Sequence, residues 1–320
     1  MKWHVVGPFT AALAAIAPGA FAQQETAASH IAAAKAAAGT EHAALFEATC
    51  VREPGPPPAR TEPRPVPERS TWHHEPVKVF DNLYYVGEKE YSAWAVTTSD
   101  GIIVIDTIWD YSVEDEIVGG LRKLGLDPAN IKYALVSHAH IDHIGGAKYL
   151  QEKFGTRIVM SAADWDFAER STRLPAEIKP KRDIVVPDGH KLTLGDTTLS
   201  LYLTPGHTPG TISTIFTVKD GARSHTVATW GGTSFNFQLS PEAFQIYIKS
   251  AVSFQDVVKK AGADIILSNH TIFDGSLKKF EALATRKPGD PHPYVVGQDS
   301  VQRYVKVAEE CARAQLLQLK

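Results

Sequence analysis

From Val77 onward the chain is a succession of short apolar runs and longer stretches with helical spacing. Val77 to Val86 and Ala93 to Thr98 alternate imperfectly between apolar and polar residues, which predicts strands, and Asp100-Gly101 reads as the turn of a hairpin. Ile102 to Ile105 is continuously apolar, as expected of a strand covered on both faces. Val113, Ile117, Leu121 and Leu124 recur at helical spacing and stop at Gly125, and Tyr133 to Val136 predicts another buried strand. A helix to Phe154 ending at Gly155, a strand over Arg157 to Met160 and a helix over Ala162 to Arg170 follow. The second half repeats the scheme. Leu192 to Leu194 and Leu199 to Leu203 form a predicted hairpin about Gly195-Asp196, and Ile212 to Val218 and Thr226 to Thr229 continue the strands. Ser240-Pro241-Glu242 is a strong helix start, with an N-cap serine and proline at the first helical position, and that helix ends at Gly262. Val301, Tyr304, Val305, Ala308 and Cys311 lie on one stripe of a last helix. Two groups of strands, each followed by helices, predict an α/β chain with two packed sheets and helices outside.

The N-terminal part follows different rules. Lys2 and an apolar, Ala-rich run through Ile16 precede Ala20-Phe21-Ala22, a small-x-small site before Gln23. The pattern is that of a secretory signal over residues 1–22, too short to span a bilayer. Residues 23–75 combine an Ala-rich stretch, helix-forming but with little to bury, and a proline-dense spacer or strap from Glu53 through Pro67. The remaining residues, 76–320, carry the enzyme-like pattern. Export bears on the two cysteines: in an oxidising compartment Cys50 and Cys311 can pair, pinning the N-terminal segment to the last helix, or remain two thiols. Over 320 residues the formal net charge is −3, with no Lys/Arg stripe, which excludes a nucleic-acid footprint. No stretch is long enough to cross a membrane.

The candidate chemistry is concentrated after the Tyr133 to Val136 run, in Ser137-His138-Ala139-His140-Ile141-Asp142-His143-Ile144-Gly145-Gly146. Three imidazoles and a carboxylate within six positions would cost several kcal/mol to bury unpartnered, whereas a divalent metal such as Zn²⁺ uses them all. His138 and His140, two apart on an extended strand end, share a face. Asp142 and His143 come after the chain turns and aim at a second point. A two-metal site is the economical reading. His73 and His74 are expected at solvated surface, and His190, His225 and His292 are expected to be structural.

The string His138-x-His140-x-Asp142-His143 resembles the signature of the metallo-β-lactamase superfamily. Pro205-Gly206-His207-Thr208-Pro209-Gly210 and Ser268-Asn269-His270 resemble its second and third ligand loops, and Asn82 to Gly87 and Gly101 to Thr107 its opening strands. The resemblance implies an αββα sandwich of two mixed β-sheets flanked by helices, with the metals at one sheet edge. It assigns His138, His140 and His207 to one zinc and Asp142, His143 and His270 to another, two per chain. Glyoxalase II and lactonases of this family add a bridging aspartate where Gly232 stands here, and subclasses B1 and B2 place a cysteine there. The ligand set is similar to that of subclass B3. Gly232→Asp is then expected to tighten the second zinc. Thr233, Ser234 and Asn236 are loose substitutes for the B3 serines that hold the substrate. The function so implied is a periplasmic or secreted hydrolase that opens a β-lactam with a metal-bound hydroxide oriented by Asp142. The alternative is a dizinc hydrolase of the same fold acting on another ester, lactone or amide. A third reading is an exported metal-binding protein with little catalysis. The partner is a small-molecule substrate, recognised by loops at 90–94, 162–185 and 232–240.

Overall fold

A computed structural model of the chain describes residues 1–4, 25–56 and 65–319. The cleavage site Ala20-Phe21-Ala22 and prolines 57, 58 and 63 lie outside the described residues. The first sheet has seven strands in sequence order: β1 (Val77–Phe80), β2 (Leu83–Tyr85), β3 (Trp94–Thr98), β4 (Gly101–Ile105), β5 (Ile131–Leu135), β6 (Arg157–Ser161) and β7 (Ile184–Val186). The second runs β12 (Ile265–Ser268), β11 (Arg223–Trp230), β10 (Ile212–Asp220), β9 (Thr197–Leu203), β8 (Lys191–Leu194). Both sheets are mixed: β1 to β4 pair antiparallel and β4 to β7 parallel, while β12 is parallel to β11 in an otherwise antiparallel sheet.

The continuous apolar runs are explained by two cores on either side of each sheet. Ile103 and Ile105 face the second sheet, packing in a cluster with Leu199, Leu201, Val227 and Leu267. Ile102 and Val104 face outward, against Ile117, Leu121 and Leu150 of the flanking helices. The outer face of the second sheet is covered by the helices Pro241–Ala261 and Gln298–Gln318. This is the αββα sandwich of two mixed sheets.

The structure corrects two readings of the N-terminal half. Val77 to Val86 is two strands, because Asp81-Asn82 is drawn into a turn by the β10 hairpin. Asp81 N–H donates to the Lys219 carbonyl, and Lys219 and Gly221 N–H donate back to the Asn82 and Asp81 side chains. The Ala-rich segment also buries more than its composition suggests. Helix Ala27–Ala38 lies on Gln298–Gln318, where Ala34 and Ala38 pack in one core with Tyr304, Ala308 and Ala312. Its His30 reaches Glu310 at 2.5 Å, and Cys50 and Cys311 form a disulfide. Among the described residues, no helix is long and apolar enough to cross a membrane.

Candidate metal centre

One end of the sandwich collects the chain where strands stop. β5 delivers His138 and His140, β9 the loop with His207, β11 Gly231-Gly232, and β12 His270. The structure brings the six sequence-predicted ligands together as two trios, His138/His140/His207 and Asp142/His143/His270. In each, the donor atoms lie within 4.8 Å of one another.

The first trio has a hydrogen-bond pattern that calls for a cation. His138 Nδ1 lies 2.8 Å from the Gly231 carbonyl and His207 Nδ1 lies 2.7 Å from the Ser234 carbonyl. Carbonyls only accept, so each Nδ1 carries the proton and each Nε2 a lone pair. These two Nε2 atoms are 3.0 Å apart, and His140 Nδ1 is 3.1 Å from His207 Nε2. Lone pairs facing at that distance repel unless a positive charge sits among them. Tetrahedral zinc with bonds of ~2.0–2.1 Å places its nitrogens roughly 3.3 Å apart, so the trio fits such an ion. Burial holds His138 well below the ordinary imidazole range, joined by His143, His207 and His140. Burial and the neighbouring His207 bring His140 down to about 3. Burial also lowers His207 to about 4, against the Ser234 carbonyl. The rings are neutral, as metal ligands must be.

In the second trio Asp142 Oδ2 is 3.4 Å from His143 Nε2 and 3.8 Å from His270 Nε2. His143 is fully buried, and neither ring nitrogen has a well-aligned hydrogen bond. Its Nδ1 faces Asp106 Oδ2 at 3.1 Å, the arrangement by which a carboxylate orients a metal-bound histidine. Burial pushes His143 down, but Asp142 and Asp106 outweigh it and raise it to about 10. Burial would raise Asp142, yet His143, His270 and His140 hold it well below the usual carboxylate range. Burial, with His143 adding to it, takes His270 down to about 3. A neighbourhood that draws positive charge this strongly suits a second cation.

The spacing of ligands did not reveal the residues that hold them. Asp106, at φ 61° just past β4, accepts from Ser137 N–H at 2.7 Å and Ser137 Oγ at 2.9 Å. Its signal was a carboxylate ending the apolar run Ile102 to Ile105. Asn269 donates to the Gly231 carbonyl at 2.8 Å, sharing it with His138. Asp164 is buried between the two histidine loops, and burial raises it to about 6 against its hydrogen bonds from Thr208, Ala139 and Gly210. Glu88, also buried, takes the Ser112 hydroxyl on one oxygen and has no partner on the other. Burial pushes it up to about 8, opposed by Ser112 and aided by Glu116, Glu90 and Asp142.

Three readings change here. A Cβ at Gly232 would lie 2.4 Å from His207 Cβ and 2.7 Å from its Cγ. Position 232 therefore abuts the flank of a ligand ring, and an aspartate there would strike His207 rather than bridge two ions. Of the three proposed substrate contacts, Thr233 is buried, with its carbonyl taken by the Tyr247 hydroxyl, and Ser234 offers its carbonyl to His207. Asn236 alone of the three lines the cleft beside the trios. His73 and His74 are half-buried, His73 bonded to Glu116 at 2.5 Å and His74 packed on Tyr85 and Phe280. His225 and His292 agree with their structural reading, bonding Asp264 and the Val79 carbonyl at 2.6 and 2.9 Å.

The cleft encloses about 2020 Å³. Its walls are Tyr91, Trp109 and Tyr111 on one side, Phe167 and residues 170–175 on another, and Ile246, Lys249 and Ser253 of the Pro241–Ala261 helix on a third. Trp109 and Tyr111 are stacked, and the Tyr91 ring lies 5.3 Å from His270, so an aromatic wall begins at the second trio.

Fold and motif together define a metallo-β-lactamase superfamily domain in this chain, whose residues 86–221 match the model of that superfamily. Solved subclass B3 metallo-β-lactamases share the architecture. The enzyme of Bradyrhizobium japonicum is 29% identical and superposes with a TM-score of 0.62, over 74% of this chain and 91% of that one. Curated relatives include a hydroxyacylglutathione hydrolase of Acidiphilium cryptum, 30% identical over 43% of this chain and 53% of its own length. An N-acyl homoserine lactonase of a Bacillus species is 29% identical over 50% of this chain and 63% of its own length. The chain thus spans about half the length of the curated relatives it matches. It carries the metallo-β-lactamase fold with two trios of candidate metal ligands at one end of it.

Proposed function

We propose that the protein is an exported dizinc hydrolase that opens a cyclic amide, in the manner of subclass B3 enzymes. The observation that carries this reading is the donor set. Two trios of donors converge, and among the described residues no carboxylate is grouped with both. Zinc, when bound, supplies an acidified water and a Lewis acid for the substrate carbonyl. The chain's own residues do the rest. Neutral His138, His140 and His207 present lone pairs to one point, and Asp106 holds His143 in orientation for the other. Asp142, held anionic against burial chiefly by His143, would accept a hydrogen bond from that water and orient it. The aromatic wall and Asn236 take the body of the substrate. Export is supported by the leader pattern and by the Cys50–Cys311 disulfide, a bond that persists in oxidising compartments.

A second reading, hydrolysis of a lactone or ester, is favoured by the size of the cleft. Its volume of about 2020 Å³ exceeds the roughly 300–1,000 Å³ of a typical small-ligand pocket, leaving room for an acyl chain. Both readings require close to two zinc ions per chain by elemental analysis. Zinc-loaded protein assayed against a nitrocefin-type cephalosporin and an acyl-homoserine lactone separates them. Turnover of the lactone alone replaces the first reading with the second, and turnover of neither by the dizinc protein sinks both.

A further inference from the structure

The helix Ala162–Arg170 begins in the usual way, with Ser161 at the N-cap accepting from Asp164 N–H at 3.2 Å. An acidic residue at the third helical position commonly reaches back to the N-cap N–H and closes a capping box. Asp164 does not. Its Oδ2 accepts from Ala139 N–H at 2.9 Å and from Thr208 Oγ1 at 2.8 Å, and its Oδ1 from Gly210 N–H at 2.7 Å. Ala139 lies between ligands His138 and His140, while Thr208 and Gly210 follow His207. The same helix start grips the second loop again, through Ser161 Oγ donating to the Gly210 carbonyl at 2.7 Å. Gly210 sits so close that a Cβ there would fall 2.0 Å from Ser161 Oγ.

We infer that Asp164 is the positioning residue of the first metal site, a buried clasp that sets the distance between the His138/His140 loop and the His207 loop. The inference rests on the metal-site reading above. A carboxylate is the group required. Three donors converge on it, and both of its oxygens accept. An asparagine of the same shape turns one of these positions into a donor facing a backbone N–H, either that of Ala139 or that of Gly210. No polar group other than these three is bonded to the Asp164 carboxylate among the described residues, so the clasp serves no other element. Substrate does not need to touch it.

The test measures each zinc separately by titration of the full-length protein against a competing chelator. Cobalt(II) spectra report the geometry, and His140→Ala and His270→Ala calibrate which step belongs to which trio. Asp164→Asn is expected to weaken the first ion by about 10–100-fold, the range seen when a group supporting a ligand is lost. The second ion should move less than threefold, the cobalt spectrum of the first site should change, and kcat should fall with KM nearly constant. Thr208→Val removes one of the three bonds and should act in the same direction by about threefold to tenfold, which keeps the test alive if Asp164→Asn folds poorly. Equal weakening of both ions, or of neither, in a folded variant overturns the inference. A wild-type protein that binds no metal would instead overturn the reading of the site.

Discussion

Gly232→Ala adds a single methyl group, and the structure says where it goes. The new carbon would lie 2.4, 2.7 and 2.8 Å from Cβ, Cγ and Cδ2 of His207. Ordinary contact between carbons is ~3.5–4.0 Å, so something must retreat by about 1 Å. The backbone around residue 232 is tied down on both sides. Gly231 N–H donates to Ser213 Oγ at 3.1 Å, the Gly231 carbonyl receives Asn269 and His138, and the Ser234 carbonyl receives His207 itself. The imidazole is therefore the part that yields. Zinc–nitrogen bonds tolerate only ~0.2 Å, so a displacement of that size costs the ligand its bond or strains the site. Overpacking of this kind costs about 1–3 kcal/mol, which converts to roughly 5- to 150-fold weaker binding of the first ion. Stepwise zinc titration with a competing chelator reads this directly, with a thermal melt of the zinc-free protein to show that the variant folds. Wild-type affinity for both ions would refute the placement of Gly232 against His207. Tighter binding in Gly232→Asp would restore the bridging-carboxylate view that the structure sets aside.

Two further outcomes are expected. Glu88 is held up to about 8 when folded, above the value of ~4.5 it has in an unfolded chain. Its contribution to stability is fully present below about pH 4.5 and is lost as pH rises through about 8. The slope is ~1.4 kcal/mol per pH unit at most, so chemical denaturation between pH 5 and 9 should show a decline that Glu88→Gln flattens, and an unchanged slope would count against a protonated Glu88. Replacing Cys50 and Cys311 by serine opens a linkage spanning a sequence separation of 261, and should cost about 2–5 kcal/mol. Urea midpoints of oxidised and serine-substituted protein check this, and coincident curves would mean that the N-terminal segment adds nothing to the fold.

What was legible in the sequence had a local cause. Ile102 to Ile105 announces itself as a strand because both of its faces are buried, so no polar position interrupts the run. His138, His140, Asp142 and His143 stand out because a strand end and the turn after it put four donors within six residues. Their supporting groups were invisible for the opposite reason. Asp106 meets Ser137 across 31 residues, and Asp164 meets Gly210 across 46, so the partner that defines each role lies far off in sequence, and Asp106 shows only as a carboxylate ending an apolar run. Composition misled at residues 25–50. Alanine was read as having little to bury, but small side chains are what let Ala27–Ala38 lie close against the last helix. The three expected substrate contacts are placed differently from one another. Asn236 reaches it, whereas Thr233 and Ser234 are absorbed in holding the loop that carries His207's partner carbonyl.

The bond between Cys50 and Cys311 also changes the topology of the molecule as an object. It closes the backbone into a covalent ring that includes every strand of the described residues and all six candidate ligands, with a tail on either side. A protease that cuts one loop of such a ring linearises it without dividing it. Nicked protein would keep its full mass on a non-reducing gel, fall into two pieces only under reductant, and hold both trios on one connected molecule in between. In the exported location proposed above, among proteases, a single cut in an exposed loop would then separate nothing.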